Sequence, residues 1–112
     1  MIELDRIDFA KGAGLVPVVV QDAATHAVLM LGYANREAVE RTLQSGHLHF
    51  WSRSRDELWL KGDRSGNFLQ VRRLALDCDG DALLAEVEPA TGETPVCHTG
   101  AETCFHNDLP LK

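Results

Sequence analysis

Residues 15–20, with the sequence Leu-Val-Pro-Val-Val-Val, form the longest apolar run of the chain. This run is far shorter than the roughly 18 apolar residues of a membrane-spanning helix, so we expect no membrane segment. Short apolar or alternating runs bounded by Gly, Asp, Asn and Ser are typical of β-strands. Five more follow, at residues 27–31, 48–52, 58–60, 68–76 and 82–87. The pattern predicts a largely antiparallel sheet.

One short helix is predicted between the second and third runs. Asn35 is a residue type that caps helix N-termini, and Gly46 is one that ends helices. Apolar positions on one face of this helix are Ala38, Val39, Thr42 and Leu43. The sequence therefore predicts an α+β fold, mostly antiparallel β-sheet with one short helix.

Length and charge narrow the possibilities further. The 112 residues, 45% hydrophobic and 25% charged, are expected to form a single compact domain over residues 1–112. A net charge of -6 argues against a nucleic-acid partner, because such proteins need a cationic surface. The first residues contain acidic groups and no apolar segment, so we expect no leader peptide and a cytoplasmic location. One short helix covers little of a sheet, which favours self-association.

The densest acidic group is Asp77-Cys78-Asp79-Gly80-Asp81. In an extended segment the three carboxylates would share one face and the thiol would point to the other. Oxygen-rich clusters suit hard cations such as Mg²⁺, and a solvated acidic turn is the alternative. An EF-hand loop is disfavoured because Ala82 stands where that loop needs Gly, and residues 82–88 alternate like a strand.

Three cysteines, Cys78, Cys97 and Cys104, cannot all pair within one chain, and they include no Cys-x-x-Cys pair. Structural zinc sites usually have closely spaced ligand pairs, so this spacing fits an open zinc site with three thiolates better. The alternative is that the cysteines are small buried apolar residues and that His98 is a surface imidazole.

Two basic motifs lie in the middle of the chain, Trp51-Ser-Arg-Ser-Arg55 and Lys61-Gly-Asp-Arg-Ser-Gly66. Arginine forms bidentate contacts with phosphate, and a glycine-containing turn lets backbone N–H groups approach an anion. A hairpin with outward-facing arginines is the alternative. In a continuous strand the arginines and serines of the first motif would face opposite sides, so both reach one ligand only if the strand ends or bulges there.

Taken together and in this order, the motifs resemble those of the phosphoribosyl-AMP cyclohydrolase family of histidine biosynthesis. The resemblance covers residues from about 15 to 105, nearly the whole chain. Asp63 and Arg64 stand where the family usually has Glu and Thr, and Thr103 stands where it usually has Ser. The matching segments are residues 21–22, 29–33, 37–43, 51–55, 58–62, 65–66, 77–82, 97–100 and 104–105.

The resemblance implies hydrolytic opening of the N1–C6 bond of the adenine ring in the small-molecule nucleotide N1-(5-phosphoribosyl)-AMP. It also implies a homodimer whose zinc is held by Cys97 and Cys104 of one subunit and Cys78 of the other. Ribose on N1 makes the purine electron-poor, so C6 is open to attack by water that zinc acidifies. The same resemblance implies Mg²⁺ on three carboxylates, those of Asp77, Asp79 and Asp81.

His98 is expected to transfer a proton or orient water, because imidazole titrates near neutral pH. Some family members continue into a pyrophosphohydrolase domain, and since this chain stops at Lys112 we expect the preceding pathway step on another polypeptide. The residues expected to contact the substrate are Trp51, Ser52, Arg53, Ser54, Arg55, Lys61, Ser65 and Gly66.

Two other functions are compatible with parts of the pattern. A non-catalytic binding module would use the cysteines to clamp a dimer around four-coordinate zinc without bound water. A zinc-dependent deaminase would carry H-x-E and P-C-x-x-C signatures. The deaminase signature is absent, because the segment Pro95-Val96-Cys97 has no second cysteine at the required spacing.

Overall fold

The computed structural model describes residues 3–89, 96–97 and 99–111. Strands β1 (Val16–Asp22) and β6 (Leu83–Pro89) lie side by side at the centre of a four-stranded sheet and run parallel. The outer strands, β2 (Val28–Ala34) beside β1 and β5 (Leu69–Leu76) beside β6, are antiparallel to their neighbours. The mostly antiparallel sheet is therefore confirmed, and its parallel central pair is the exception that local patterns did not predict.

Alternation along the central strands creates the hydrophobic core. In β1, Val16, Val18 and Val20 are at most 1% exposed, and the residues between them are less buried. The register pairs Val18 with Leu83 and Val20 with Ala85, so both strands present apolar side chains to the same face. Burying one such side chain contributes roughly 1.5 to 3 kcal/mol.

Helix α1 (Arg36–Ser45) packs against this core and begins and ends as the sequence predicts. Asn35 Oδ1 accepts a hydrogen bond from the Ala38 N–H at 2.9 Å, and Gly46, at φ +77°, ends the helix. The buried stripe is narrower than expected, because Leu43 is 55% exposed. Within the described part of the chain, no helix has the length and apolarity needed to cross a membrane.

A separate hairpin, β3 (His49–Ser52) with β4 (Glu57–Leu60), packs against β2 and α1. Phe50 of β3 lies against Gly32 of β2, where a Cβ on the glycine would lie 2.6 Å from the phenylalanine ring. The missing side chain lets the hairpin lie directly on β2. The described residues thus form two sheets, and the larger of two candidate clefts lies between them.

Candidate active site

A cleft of about 800 Å³ opens between β2 and the β3–β4 hairpin. Its lining includes residues 30–33, residues 50–55 and Trp59. Strand β3 ends at Ser52, and residues 53–56 form a turn in which Asp56 has φ +53°. Because strand alternation stops there, both serines and both arginines of the first basic motif line the same cleft.

The two guanidinium groups of this cleft are held by neighbouring side chains. Arg53 Cζ lies 3.9 Å from the centre of the Tyr33 ring, a stacking contact. Arg55 Nε lies 3.4 Å from a Glu57 carboxylate oxygen and donates to Ser52 Oγ at 3.4 Å. The side chains are therefore partly preorganised, which reduces the entropy lost when they bind an anion. Sequence reasoning gave Tyr33 no role, although it lies in a segment that matches the family.

A smaller cleft of about 370 Å³ adjoins the first, since both are lined by Arg55 and Trp59. Its other lining residues run from Lys61 to Ser65, so the second basic motif adjoins the first in space. Gly66 follows at the exposed end of this turn. The two motifs therefore form adjoining basic clefts.

Lys61 differs from the other basic residues of the clefts because it is only 6% exposed. Its Nζ donates a hydrogen bond to the carbonyl oxygen of Val96 at 2.9 Å. This bond connects the end of β4 to the residue directly before Cys97.

Cys97 and Cys104 lie next to each other in the segment that follows β6. The Cys97 N–H donates to the Ala101 oxygen at 3.1 Å, and this bond closes the loop that carries Cys97. The Cys104 N–H donates to the Leu29 oxygen of β2 at 2.7 Å, and the Thr103 hydroxyl donates to the same oxygen at 3.1 Å. A serine hydroxyl could make the same bond, so Thr103 preserves the contact despite departing from the family pattern.

The two thiols have opposite ionisation tendencies. A hydrogen bond from the Thr99 hydroxyl, 3.1 Å from Cys97 Sγ, is the main cause that lowers the pKa of Cys97 to about 6. The Thr99 backbone N–H and, more weakly, His106 Nε2 at 4.0 Å act in the same direction. Partial desolvation raises the pKa of Cys104, although this residue is exposed, and its neighbour Cys97 raises the pKa further. A soft divalent cation such as Zn²⁺ would offset the repulsion between two thiolates, so this pair fits zinc.

The acidic cluster is present, but the expected reason for it is wrong. Residues 77–81 form a tight turn instead of an extended segment. Asp77 Oδ1 accepts from the backbone N–H groups of Asp81 and Ala82 at 2.9 and 3.1 Å. Among the described side chains, Asp77, Asp79 and Asp81 are the one group of three candidate ligands whose donor atoms all lie within 4.8 Å of one another.

Lys11 contacts this cluster from the 3-10 helix Ala10–Gly12, which precedes β1. Its Nζ lies 2.8 Å from an Asp81 oxygen and 3.5 Å from an Asp79 oxygen. The hydrogen bond from Lys11 is the main cause that lowers the pKa of Asp81 to about 2. Hydrogen bonding with Asp81 and Asp77 raises the pKa of Asp79. Sequence reasoning did not place Lys11 here, because the parallel pairing that brings it close was not predicted.

The structure does not bring the third cysteine to the other two. Cys78 is exposed on the acidic turn, where β6 begins. Cys104 lies beside the first half of β2, at the end of the sheet where β1 and β6 end. One chain therefore supplies two of the three predicted thiol ligands at one place. His98 lies outside the described residues, and its role stays a prediction.

Comparison with known proteins places these features in a family. A family model described as phosphoribosyl-AMP cyclohydrolase matches residues 30–106. The chain is 53% identical over 107 residues to the phosphoribosyl-AMP cyclohydrolase of Cenarchaeum symbiosum (strain A), covering 96% of both chains. It is 50% identical over 104 residues to that of Clostridium botulinum (strain ATCC 19397 / Type A), covering 93% of this chain and 92% of the relative.

A longer relative matches over only part of its length. The histidine biosynthesis bifunctional protein of Bacteroides thetaiotaomicron is 50% identical over 108 residues. The match covers 95% of this chain and 52% of that protein.

The position of Lys11 predicts that it competes with a divalent cation for the acidic turn. We expect Lys11→Gln to lower the dissociation constant for Mg²⁺ roughly two- to fivefold at low ionic strength, because exposed ion pairs are weak. Isothermal titration calorimetry measures this change. Arg72→Gln removes an exposed cation that pairs with Glu88 instead, and it should leave the constant unchanged. Unchanged or weaker Mg²⁺ binding by Lys11→Gln would show that the ammonium does not compete.

Proposed function

The chain belongs to the phosphoribosyl-AMP cyclohydrolase family, enzymes of histidine biosynthesis, and we propose that it hydrolyses the N1–C6 bond of the adenine ring in N1-(5-phosphoribosyl)-AMP. The observation that carries this proposal is that one strand, β2, serves both parts of the site. Residues 30–33 of β2 line the larger basic cleft, and the carbonyl of Leu29 holds the backbone of Cys104. A nucleotide in the cleft would therefore lie close to the thiol pair.

Cys97 and Cys104 are proposed to hold Zn²⁺ together with Cys78 of a second copy. The separation of Cys78 from the other thiols within one chain supports a site shared between two copies. Exposed apolar side chains beside the thiol pair also support it, since Val28 is 47% exposed and Phe105 is 59% exposed. A zinc ion with three thiolates and one open position supplies Lewis acidity towards water.

The basic clefts are proposed to bind the two phosphate groups of the substrate. Arg53 and Arg55 would form bidentate contacts in the larger cleft, with Ser52 and Ser54 as hydroxyl donors. In the smaller cleft, Ser65 and the backbone around Gly66 would bind the other phosphate. Two clefts that share a wall suit a ligand whose two anionic groups lie at opposite ends. Trp51 and Trp59 supply apolar surface for the base and ribose.

The acidic turn is proposed to hold Mg²⁺, which can bridge a substrate phosphate. Cys78 lies between Asp77 and Asp79. A dimer that brings this thiol to the zinc of the other copy would therefore also bring the carboxylates near the cleft of that copy. When Mg²⁺ binds, it would replace the Lys11 ammonium as the partner of the Asp81 carboxylate. His98 is proposed to transfer a proton or to orient the water that attacks C6.

A zinc site shared between subunits predicts complementation between inactive variants. Cys78→Ser and Cys104→Ser should each lose zinc and activity, because a hydroxyl replaces a thiolate poorly. After co-refolding, a mixed dimer contains one site with all three thiols. We therefore expect roughly a quarter of wild-type zinc content and activity in a random mixture.

The matched control is a mixture of Cys97→Ser with Cys104→Ser, in which no dimer has an intact site. Metal analysis and steady-state rates of both mixtures give the comparison. If mixed dimers form and neither mixture recovers activity, the ligands do not come from two chains.

Phosphate binding by the turn arginines predicts a loss of substrate affinity on truncation. We expect Arg53→Ala and Arg55→Ala each to lower kcat/KM about 10- to 150-fold, mainly through KM, since a charge-assisted bond contributes about 1.5 to 3 kcal/mol. Arg53→Lys and Arg55→Lys should retain only part of the wild-type kcat/KM, because lysine keeps the charge but lacks the planar guanidinium that forms bidentate contacts. Steady-state kinetics with thermal melts test this, with Arg73→Ala, an exposed arginine paired with Glu86, as control. Wild-type kcat/KM in both variants would mean that the arginines form only a solvated face.

A further inference from the structure

Lys61 is a buried cation whose charge needs a partner. It is 6% exposed, and Thr42 is the other buried polar residue in the described ranges. None of the ion pairs formed among residues 3–89, 96–97 and 99–111 includes Lys61. A buried ammonium without an opposite charge is costly. The Val96 oxygen at 2.9 Å accepts one hydrogen bond from Nζ, and the Trp59 ring centre lies 5.8 Å from it, but neither group carries a net charge.

The hydrogen bond from Lys61 places its ammonium beside the segment that carries the thiol pair. Val96, which accepts the bond from Nζ, is covalently joined to Cys97. The ammonium therefore lies against the backbone of the loop whose Cys97 thiol is a proposed zinc ligand.

The backbone at Lys61 is fixed by a hydrogen bond of its own and by a close approach at the next residue. Its N–H donates to the Leu48 oxygen at 3.1 Å. The next residue, Gly62, has φ +100°, and a Cβ there would lie 2.5 Å from the backbone of Asn67 and Phe68. The turn that follows Lys61 therefore requires glycine at position 62.

We propose that Lys61 is a positioning residue of the metal site, which fixes the Cys97 loop through Val96 and offsets the negative charge of the zinc thiolates. This inference rests on the proposed zinc site. Three thiolates around Zn²⁺ leave one net negative charge, and a buried ammonium neutralises it. The sequence alone favoured a different role for Lys61, as a donor to a substrate phosphate. The positioning role predicts weaker zinc binding when Lys61 is replaced, and the phosphate-binding role predicts a higher KM.

Lys61→Met separates them, because methionine fills similar space without charge or donor. We expect zinc affinity, measured by competition with a chromogenic chelator, to fall about 10- to 100-fold, as is typical when a group that orients metal ligands is removed. The Co²⁺-substituted protein should show a matching weakening of its thiolate charge-transfer band. At saturating zinc, KM for the substrate should stay at the wild-type value. Arg72→Met, which removes an exposed positive charge, should leave zinc affinity unchanged.

Lys61→Gln retains a donor for the Val96 oxygen but no charge, so its zinc affinity should lie between those of wild type and Lys61→Met. It also decides the question if the methionine variant does not fold. Wild-type zinc affinity in Lys61→Gln, and in Lys61→Met where that variant folds, would overturn the inference. If KM also rises, Lys61 contacts substrate phosphate, and the proposed function still stands. Failure of the wild-type protein to bind zinc would instead overturn the proposed zinc site itself.

Discussion

The parallel pairing of β1 with β6 determines where the candidate metal ligands lie. Because the strands run in the same direction, the segments that precede them meet at one end of the sheet. Lys11 thus reaches the carboxylates of the acidic turn, and the Asp8 N–H bonds to the Gly80 oxygen at 2.7 Å. Both strands finish at the other end of the sheet, which is where Cys104, the neighbour of Cys97, bonds to Leu29. Cys78 and the thiol pair are therefore kept apart within one chain.

Strand β2 is the element through which the parts of the site act together. It forms one edge of the sheet, and an edge strand has unpaired backbone groups. At the start of β2, the backbone oxygens of Val28 and Leu29 accept hydrogen bonds from Thr103 and Cys104. The next residues of the strand, 30–33, line the cleft. Lys61 makes a second connection, from the cleft to the thiol loop. A shift of β2 or of the β4 end would therefore move the thiols and the phosphate donors relative to each other.

Local features of the fold could be predicted from sequence because local chemistry causes them. The Asn35 cap, the Gly46 end of the helix and the alternation in β1 and β6 depend on residues close in the chain. The parallel strand pair could not be predicted in this way, since it joins residues 18–22 to residues 83–87. For the same reason Lys11 and Tyr33 were missed, since each contacts a predicted residue from a distant segment. His106 lies only nine residues from Cys97, but it belongs to none of the motifs. The acidic cluster was found from its composition, but a turn, and not a strand, brings its carboxylates together.

The most direct test of the central claim is ring opening itself. Purified protein is incubated with N1-(5-phosphoribosyl)-AMP, and the ultraviolet absorbance of the opened ring is followed before and after zinc removal by a chelator. Metal analysis verifies the removal. We expect ring opening by the untreated protein, loss of the rate with loss of zinc, and recovery when Zn²⁺ is added but not when Mg²⁺ is added alone. An unchanged rate in protein shown to be free of zinc would contradict it.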